Sequence, residues 1–543
     1  MPENTPEKAF GKSPEEIYWQ YCQKYCSTKL LDLPEPIKAA IRTTNWDEPQ
    51  SALDFNNIAV LALVEVENTE DTSEKLLYWE FALESLQCGL ELPESFLCKA
   101  HLAIIYSLIN DTQTALNLAH QYFIEILQLD SMTTTSLPLG LVYMPSHLKR
   151  WSIIVEERLV SLLHAQTRTE QAYGLLVETL CHSIPYFYNA NGLRFLQIAT
   201  QFNQDSALLN LQLGIAGLLN HQLEGLAYLH RARKIKPNSS AIIQVLYLAY
   251  RDLQKFDNAA EWRQIAATYS QQIPNAIDWQ WANLDIHSSF TYIPFGNNFL
   301  LAVEASLKSI VTSVLLAQGD WFESEMALWR DQIKPGMTVI DVGANVGVYT
   351  YSAAQLVGES GQIIAIEPFS GCIKHLQETA RINQLKSVKI LTGAASDHEG
   401  TARLSLNSAS ELNELIPEDV ALKSQQNFEI VPCFTLDSLI ETEQIHRVDW
   451  LKIDAESHEL QVLWGARRML ESFYPNIIYE NIAGAQGNNT QVAHYLTENG
   501  YLLFRYTPYL KQMNSINSLD ELNGNLNIIA IHNSRIKLED STG

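Results

Sequence analysis

The stretch K-P-G-M-T-V-I-D-V-G-A-N-V-G-V-Y-T, residues 334–350, decides the fold together with I-I-A-I-E-P at 363–368. The first apolar run ends in a turn that contains Gly343 and Gly347, and the second ends in Glu367. This order of strand, glycine turn, helix, strand and acid predicts half of a nucleotide-binding α/β sheet. Gly343 has no Cβ, so a ligand can come close to the backbone of the turn. The free N–H groups at the start of the helix can bind polar groups of that ligand.

The acid within the turn motif discriminates between cofactors. Asp341 lies in D-V-G-A-N-V-G, which differs from the G-x-G-x-x-G of dinucleotide-binding folds. A carboxylate there would repel a pyrophosphate and attract a cationic amino-acid group. Glu367 can accept hydrogen bonds from both hydroxyls of a ribose. We therefore predict S-adenosylmethionine as the cofactor rather than NAD; the alternative is an ordinary buried strand with a chance D-x-G-x-x-x-G.

Composition sets the broad class. The chain has 543 residues, of which 46% are hydrophobic and 18% charged, so we expect a folded globular protein of two to four domains. A net charge of −25 argues against binding to nucleic acid or to an anionic membrane. We expect no secretory signal and no membrane span. The seven cysteines have no paired zinc-ligand spacing, and reduced thiols in the cytoplasm are expected.

The pattern along the chain predicts four segments. Residues 1–12 are polar and proline-containing, which is typical of a disordered tail. Residues 13–275 have a mostly helical pattern. Residues 276–330 are rich in aromatic side chains and are interpreted as a linker that packs between domains, with a substrate lid as the alternative. Residues 331–535 alternate strands and helices and form the Rossmann-like domain.

Part of the helical segment repeats. The unit L-Y-L-A-Y-R-D-L-Q-K-F-D-N-A begins at Leu246, and related units begin near Leu213 and Leu102. This spacing resembles tetratricopeptide repeats, in which small residues let two antiparallel helices pack closely. The alternative is a generic antiparallel helical array. In either case we expect an all-α, solenoid-like layer that binds a protein partner, associates with itself or covers an adjacent domain.

The α/β rhythm continues to the end of the Rossmann-like segment. Small residues after the strand at 388–392, among them Ala395, leave room for a flat ring such as adenine. The run 448–454 predicts another central strand, and Glu480 ends the next one. About seven strands that alternate with helices predict a doubly wound sheet.

Several motifs, taken in order, resemble the FkbM-type methyltransferases, which depend on S-adenosylmethionine. The matching segments lie between about residues 319 and 531: V-I-D-V-G-A-N-V-G, I-E-P, T-L-D-S-L, V-D-W-L-K-I-D-A-E-S-H-E, V-L-W-G-A and P-N-I-I-Y-E. The resemblance implies a seven-stranded methyltransferase fold. It also implies O-methylation of a hydroxyl on a sugar, a glycan or a secondary metabolite.

The resemblance also implies roles for individual residues. Glu367 would hold the ribose, and Asp454 would face the reacting methyl group. The methionine part of the cofactor would lie along the turn formed by Asp341, Gly343, Ala344, Asn345 and Gly347.

One departure from the family pattern falls beside the expected site. The family shows K-I-D-x-E-G-x-E, whereas this chain has Ser457 and His458 in place of the glycine and the small residue after it. His458 is the candidate general base, because imidazole titrates near neutral pH, and Asp454 and Glu456 are the alternatives. His458 could also be a solvated histidine at a helix start. We expect Lys452 to pair with a carboxylate.

Two further alternatives stay open at this point. No metal ion is predicted, although a metal-assisted reaction could use Asp454 and Glu480 at adjacent strand ends. The chain could also be mainly an interaction module, in which the helical part binds a partner and the Rossmann-like part is a degenerate sensor of S-adenosylmethionine.

Overall fold

The structure is a computed structural model. It describes residues 12–26, 29–109, 111–128, 138–145, 155–181, 193, 194, 196, 197, 200, 204–273, 276–407, 413–416, 427–482 and 488–539. The predicted disordered tail lies outside these residues except for Lys12, and so do the last two residues of the predicted domain boundary.

Packing divides the chain into two compact units. The first contains Met1–Gln204 and Thr507–Gln512, and the second contains Asp205–Tyr506 and Met513–Gly543. The domain boundary predicted near residue 275 coincides with the change from a mainly helical segment to one that contains strands. Packing places the division earlier, because the last four helices before residue 275 belong to the same compact unit as the sheet.

The first unit is built from amphipathic and buried helices. Ser51 begins one of them with a reciprocal capping box, in which its hydroxyl accepts from the Asp54 N–H. Tyr509 is part of this unit, and its hydroxyl lies 2.7 Å from that of Tyr143. The helices described here are Pro14–Cys26, Glu35–Thr43, Ala52–Asn68, Thr72–Leu90, Phe96–Leu108, Thr112–Leu127, Val155–Leu163 and Arg168–Cys181.

Two helix pairs begin the second unit, and glycines set the spacing of the first pair. A Cβ on Gly225 would lie 2.6 Å from the backbone oxygen of Gly214, so the two helices approach backbone to backbone. The helical pattern predicted here is confirmed, and each proposed repeat falls on a helix–turn–helix pair. Their identity as tetratricopeptide repeats stays a prediction. The helices are Ala207–Leu219, Gly225–Ile235, Ser240–Asp252 and Phe256–Gln272.

The aromatic segment after residue 275 packs within the second unit. Trp279 stacks on Tyr269 of the preceding helix, with ring centroids 4.8 Å apart. The hairpin that follows contacts a helix of the sheet, where the Ala302 N–H donates to the Thr379 hydroxyl at 2.9 Å. The elements are a 3-10 helix at Ile277–Asn283, β1 at Phe290–Pro294, β2 at Leu300–Glu304, and helices at Ile310–Gln318 and Glu325–Gln332.

An eight-stranded sheet forms the centre of the second unit. Its strands are β3 (Thr338–Val342), β4 (Gln362–Glu367), β5 (Val388–Thr392), β10 (Trp450–Ile453), β11 (Asn476–Glu480), β12 (Tyr501–Thr507), β13 (Gln512–Ser515) and β14 (Asn527–His532). The spatial order is β13-β12-β14-β11-β10-β3-β4-β5. Seven helices that follow β3 in the chain accompany the sheet. They are Val348–Val357, Ser370–Ile382, Leu436–Thr442, Glu459–Trp464, Arg467–Phe473, Thr490–Glu498 and Asn533–Glu539.

The central strands run parallel, as expected for a doubly wound sheet. β3 pairs in parallel with both β4 and β10, so the strand order reverses at β3. β14 runs antiparallel between β11 and β12. The sheet has one strand more than the predicted seven, because the short strand β13 extends its edge. The inner strands are buried on both faces, which explains their continuous apolar sequences.

A second, four-stranded sheet lies between β5 and β10 in sequence. It consists of β6 (Ala394–Ala395), β7 (Gly400–Ser405), β8 (Leu415–Ile416) and β9 (Phe428–Phe434), in the order β6-β9-β7-β8. Among the residues that the structure describes, no helix is both long and apolar enough to cross a bilayer.

The turn after β3 comes unusually close to the end of β10. Gly343 has φ +75°, and a Cβ on it would lie 1.7 Å from the backbone oxygen of Asp454. The Gly343 N–H donates to Ile366 of β4 at 3.0 Å, and the Asp454 N–H donates to Val342 at 3.0 Å. One glycine therefore joins the carboxyl ends of three strands.

We predict that Gly343→Ala destabilises the second unit by more than about 3 kcal/mol, because the methyl group overlaps a backbone atom that cannot move alone. Gly524→Ala is the matched control. Gly524 also has a positive φ of +80° in a turn of the same unit, but nothing lies within 4 Å of its Cβ position, so backbone strain of about 1 kcal/mol is its expected cost. Thermal unfolding compares the two variants, and equal shifts would contradict the role of the close approach.

Candidate active site

A cavity of about 300 Å³ opens at the carboxyl ends of β3, β4, β10 and β11. This is the edge at which the strand order reverses, the usual ligand position in open α/β sheets. Residues from the strands on both sides of β3 line the cavity, and most of the polar residues among them are acidic. The carboxyl groups that line the cavity are Glu323, Asp341, Glu367, Asp454, Glu456 and Glu480.

Glu367 is held rigidly at the end of β4. Its two carboxylate oxygens accept hydrogen bonds from the backbone N–H groups of Asn345 and Phe369, both at 2.8 Å. Asn345 has φ +50°, a left-handed conformation that asparagine tolerates better than most residues. Burial raises the pKa of Glu367 to about 7, and the two N–H donors offset part of that effect. The carboxylate is thus oriented, with further lone pairs available to hydroxyl donors.

Asp341 lies at the floor of the cavity and is almost fully buried. Its Oδ2 accepts from the Thr350 hydroxyl at 2.6 Å, while Oδ1 is buried and has no hydrogen-bond partner among the residues that the structure describes. Burial raises the pKa of the Asp341 carboxyl, and the nearby Lys452 ammonium lowers it. A buried oxygen without a partner is costly, so this site fits a ligand that donates a hydrogen bond or carries positive charge.

Lys452 supplies the fixed positive charge of the site. Its Nζ lies 2.6 Å from Asp454 Oδ2 and 4.5 Å from the centroid of the Tyr349 ring. Burial alone would lower the pKa of Lys452, but attraction to Asp454, Glu323 and Asp341 outweighs it and raises the pKa above its usual value. The predicted pairing of Lys452 with a carboxylate is confirmed.

Asp454, Glu456 and Glu480 each bring one carboxylate oxygen into a group in which the oxygens lie within 4.8 Å of one another. Burial, followed by the charge of Asp454, raises the pKa of Glu456 to about 8 and raises that of Glu480 as well. The sequence had indicated Asp454 and Glu480 as the pair for a metal-assisted reaction, and the structure adds Glu456 to them. The Lys452 ammonium beside Asp454 offsets part of the negative charge of the three carboxyl groups. That the reaction needs no metal ion stays a prediction.

The departure from the family motif lies in a strained turn. Glu456 has φ +48° and Ser457 has φ +73°, so two successive residues adopt a left-handed conformation. A glycine at 457 would adopt it without the roughly 1 kcal/mol that a side chain costs. Glu459 stabilises the turn, because its Oε1 accepts a hydrogen bond from the Ala455 N–H at 2.9 Å. The turn places Glu456 and His458 on the cavity wall.

His458 begins the helix Glu459–Trp464 and also faces the cavity. Its Nε2 lies 2.9 Å from the hydroxyl of Ser396, a fully buried residue. Burial lowers the pKa of His458, and the charge of Asp397 partly opposes this. The imidazole is therefore neutral near pH 7, as a proton acceptor must be.

An aromatic wall closes the cavity on the side of residues 321–323. Trp321 and Phe322 pack against each other with ring centroids 4.6 Å apart. The Tyr349 hydroxyl donates to Glu323 at 2.6 Å. Sequence reasoning did not assign these residues to the site. The sequence W-F-E at residues 321–323 combines two aromatic side chains with an acid, but no motif linked it to the ends of the strands.

The structure brings together nearly all of the residues predicted to form the site. The catalytic candidates His458, Asp454 and Glu456 line one cavity. The predicted cofactor residues that line it are Asp341, Gly343, Ala344, Asn345, Glu367, Ala395 and Asp454. Gly347 does not line it. Gly347 has φ +96° at the helix start, and a Cβ there would lie 2.5 Å from the Tyr351 ring, so packing already requires a glycine, and its contact with the cofactor stays a prediction.

Comparison with known proteins identifies the domain. Residues 341–503 match the family model of the methyltransferase FkbM domain, which confirms the resemblance over these residues. A methyltransferase FkbM from Methylobacillus flagellatus KT is similar at 15% identity over 42% of this chain and 54% of that one, with a TM-score of 0.26. The chain thus spans about half the length of that protein.

Two other solved structures are similar at comparable levels. A putative rRNA-methylase from Clostridium thermocellum has 13% identity over 38% of this chain and 92% of that one, with a TM-score of 0.25. Aeropyrum pernix fibrillarin, in complex with natively bound S-adenosyl-L-methionine, has 12% identity over 38% of this chain and 72% of that one, with a TM-score of 0.24. The family match over residues 341–503 shows that the chain carries a methyltransferase domain.

Proposed function

We propose that this protein transfers the methyl group of S-adenosylmethionine to a hydroxyl of a neutral acceptor, such as a sugar, a glycan or a secondary metabolite. The observation that carries the proposal is one cavity lined by a rigid ribose-type acid, Glu367, by an unpartnered Asp341 oxygen and by a neutral imidazole, His458. S-adenosylmethionine supplies a methyl group on a sulfonium sulfur.

The residues present fit this cofactor. The Glu367 carboxylate can accept both ribose hydroxyls, because its two oxygens are already oriented by backbone N–H groups. Asp341 Oδ1 can accept from the amino group of the methionine part, which would satisfy that buried oxygen. Gly343 exposes backbone at the turn, and Ala395 with its small neighbours leaves space for the adenine ring.

The charge of the cavity restricts the acceptor. Six carboxyl groups line it, and Lys452 is bound to one of them. A phosphate or carboxylate on the acceptor near the reacting hydroxyl would be repelled in a partly buried site. Hydroxyl groups, in contrast, can donate to the carboxylates, and a sugar ring can pack against Trp321. A neutral polyhydroxylated acceptor therefore suits the site best.

The protein's own contribution to the reaction is orientation and removal of a proton. Transfer to a hydroxyl releases one proton, and His458 is the candidate acceptor for it, with Asp454 and Glu456 as alternatives. Trp321 and Phe322, both half-buried, line one side of the cavity. Holding the acceptor oxygen in line with the methyl group supplies much of the rate acceleration in such displacements.

The first test is calorimetric titration with S-adenosylhomocysteine. We predict micromolar binding to the wild type and a loss of about tenfold or more in Glu367→Ala, because lost hydrogen bonds to a charged acceptor cost about 1 to 3 kcal/mol. Glu359→Ala changes an exposed glutamate on the same segment and should bind like the wild type.

The same titration has an expected pH dependence. The ribose hydroxyls favour the ionised form of Glu367, whose pKa in the free protein is raised to about 7. Below that pH the carboxyl must lose a proton to bind, so Kd should rise by up to about tenfold per pH unit. Glu367→Gln should bind more weakly and lose this slope. No binding to the wild type would refute the cofactor assignment.

The second test follows methyl transfer from labelled S-adenosylmethionine to paired acceptors, neutral glycosides and their phosphorylated forms. We predict labelled O-methyl product with the neutral member of each pair and at least about tenfold less with the phosphorylated one. His458→Ala should lower kcat by about 100-fold if the imidazole is the base. N-methylated product, or equal use of phosphorylated acceptors, would contradict the proposal.

The competing proposal is a partner-binding protein with a degenerate cofactor site. It predicts binding of S-adenosylhomocysteine without turnover, together with a stable complex through residues 1–270, either with another protein or with a second copy of the chain. The intact pairing of Glu367 with the turn argues for retained cofactor binding, which both proposals share, so methyl transfer to an acceptor is the result that would favour the enzyme.

A further inference from the structure

Behind His458, hydrogen-bonding side chains continue from the cavity to the protein surface. Ser396 Oγ lies 2.9 Å from His458 Nε2 and 3.2 Å from Asp397 Oδ1. The same Asp397 oxygen lies 2.7 Å from Nδ1 of His398. Ser396 is fully buried, whereas the Asp397 and His398 side chains are 38% and 55% exposed. The cavity imidazole is thereby connected to an ionisable pair in contact with solvent.

Ser396 is fixed by its backbone. Its N–H donates to the carbonyl of Phe434 at the end of β9 at 2.9 Å. On the other side, a Cβ on Gly465 would lie 1.9 Å from the Ser396 carbonyl oxygen, so the end of the helix Glu459–Trp464 closes directly on the serine. The helix that His458 begins therefore also holds the residue that His458 contacts, and their distance is set by the fold.

The donor and acceptor inventory gives this connection a direction. An ionised Asp397 can only accept, so the 3.2 Å contact has the Ser396 hydroxyl as its donor. With that proton toward Asp397, His458 Nε2 is the donor to Ser396 Oγ, and Nδ1 is the ring nitrogen without a proton. No residue described in the structure hydrogen-bonds to Nδ1, and Nδ1 is not among the buried unpartnered atoms, so it is accessible on a side chain that lines the cavity.

We infer that Ser396 and Asp397 are positioning residues that hold His458 in the Nε2–H tautomer and present Nδ1 to the acceptor hydroxyl. This inference rests on the proposed methyl transfer. In the step itself the acceptor O–H bond breaks and its proton binds Nδ1, while the oxygen bonds to the methyl carbon and the carbon–sulfur electron pair stays on sulfur. The imidazolium that forms is stabilised by Asp397 through Ser396, and it later loses its proton to solvent.

This assignment separates His458 from the two carboxylate alternatives. Asp454 is already bound to the Lys452 ammonium, and the Glu456 carboxyl is protonated over part of the neutral range because burial raises its pKa to about 8. His458 has a neighbour that sets its tautomer and a second neighbour that can compensate its charge. The histidine at the departure from the family motif is thus supported by Ser396, which lies 62 positions earlier in the chain, and by the neighbouring Asp397.

A spectroscopic measurement tests the tautomer without any turnover. The ring ¹⁵N shifts of His458 are recorded in deuterated, histidine-labelled, ligand-free protein and assigned by their loss in His458→Gln. We expect a protonated Nε2 and a bare Nδ1 in the wild type. Ser396→Ala and Asp397→Asn should give a mixture of both tautomers. Glu399→Gln is the control, since Glu399 lies on the same loop but accepts from Thr435 and Ser438 instead.

A kinetic measurement tests the consequence. Ser396→Ala and Asp397→Asn should lower kcat about 10- to 100-fold while KM and the Kd for S-adenosylhomocysteine stay within about twofold. Ser396→Thr, which keeps the hydroxyl, should restore most of kcat. Equal melting temperatures for Ser396→Ala and Ser396→Thr separate this effect from misfolding.

The outcomes distinguish this inference from the proposed function. A wild-type His458 protonated on Nδ1, or an unchanged tautomer in Ser396→Ala, would overturn the inference even if methyl transfer is observed. Absence of methyl transfer together with the expected tautomer change would refute the proposed function and the catalytic use of His458, while the positioning by Ser396 would stand.

Discussion

The contact between Gly343 and the backbone oxygen of Asp454 is the constraint on which the site depends. It leaves no room for a side chain at 343 and brings the turn after β3 against the end of β10. The same turn donates backbone N–H groups to β4 and, through Asn345, to Glu367. Glu367, the turn at Gly343 and the segment after Asp454, which we propose to bind the ribose, the methionine part and the acceptor, therefore share one junction. Rigid placement of this kind is what proximity effects require.

Electrostatics gives this junction its chemical character. The strand ends assemble more carboxyl groups than can be ionised together in a partly buried space, and burial accordingly raises the pKa values of Glu367, Glu456 and Glu480. Lys452 offsets one of these charges. The residual negative potential suits a cofactor with a sulfonium and an ammonium group, and it disfavours an anionic acceptor. The preference for a cationic cofactor and the preference for a neutral acceptor thus have the same cause, the excess of carboxyl groups in the cavity.

The parts of the site that were predictable from sequence are local. The segment from Asp341 to Glu367 forms one strand, turn, helix and strand, so its spacing determines which side chains reach the strand ends, and the cavity includes both residues. Gly347 does not line the cavity, and its contact with the cofactor stays a prediction, because sequence spacing does not separate a glycine needed for a ligand from one needed to pack on Tyr351. The strained turn at Ser457 was visible as a departure from the family pattern.

The parts that sequence could not supply depend on distant pairing. Ser396 meets His458 only because β6 pairs with β9 and the turn at Gly465 closes on it. Glu323 and Tyr349 meet because a helix and a loop from different segments face the same cavity. The eighth strand, β13, is four residues long and alternates in exposure without a strong apolar signal. None of these contacts leaves a periodicity or a motif in the sequence.

The most direct test of this account is a crystal structure of the protein with S-adenosylhomocysteine bound. The account predicts both ribose hydroxyls within hydrogen-bond distance of Glu367 and the amino-acid part along the turn at Gly343, with its ammonium on Asp341. The sulfur should face the wall that carries His458. A ligand bound away from Glu367, or a ribose that makes no contact with its carboxylate, would contradict the account.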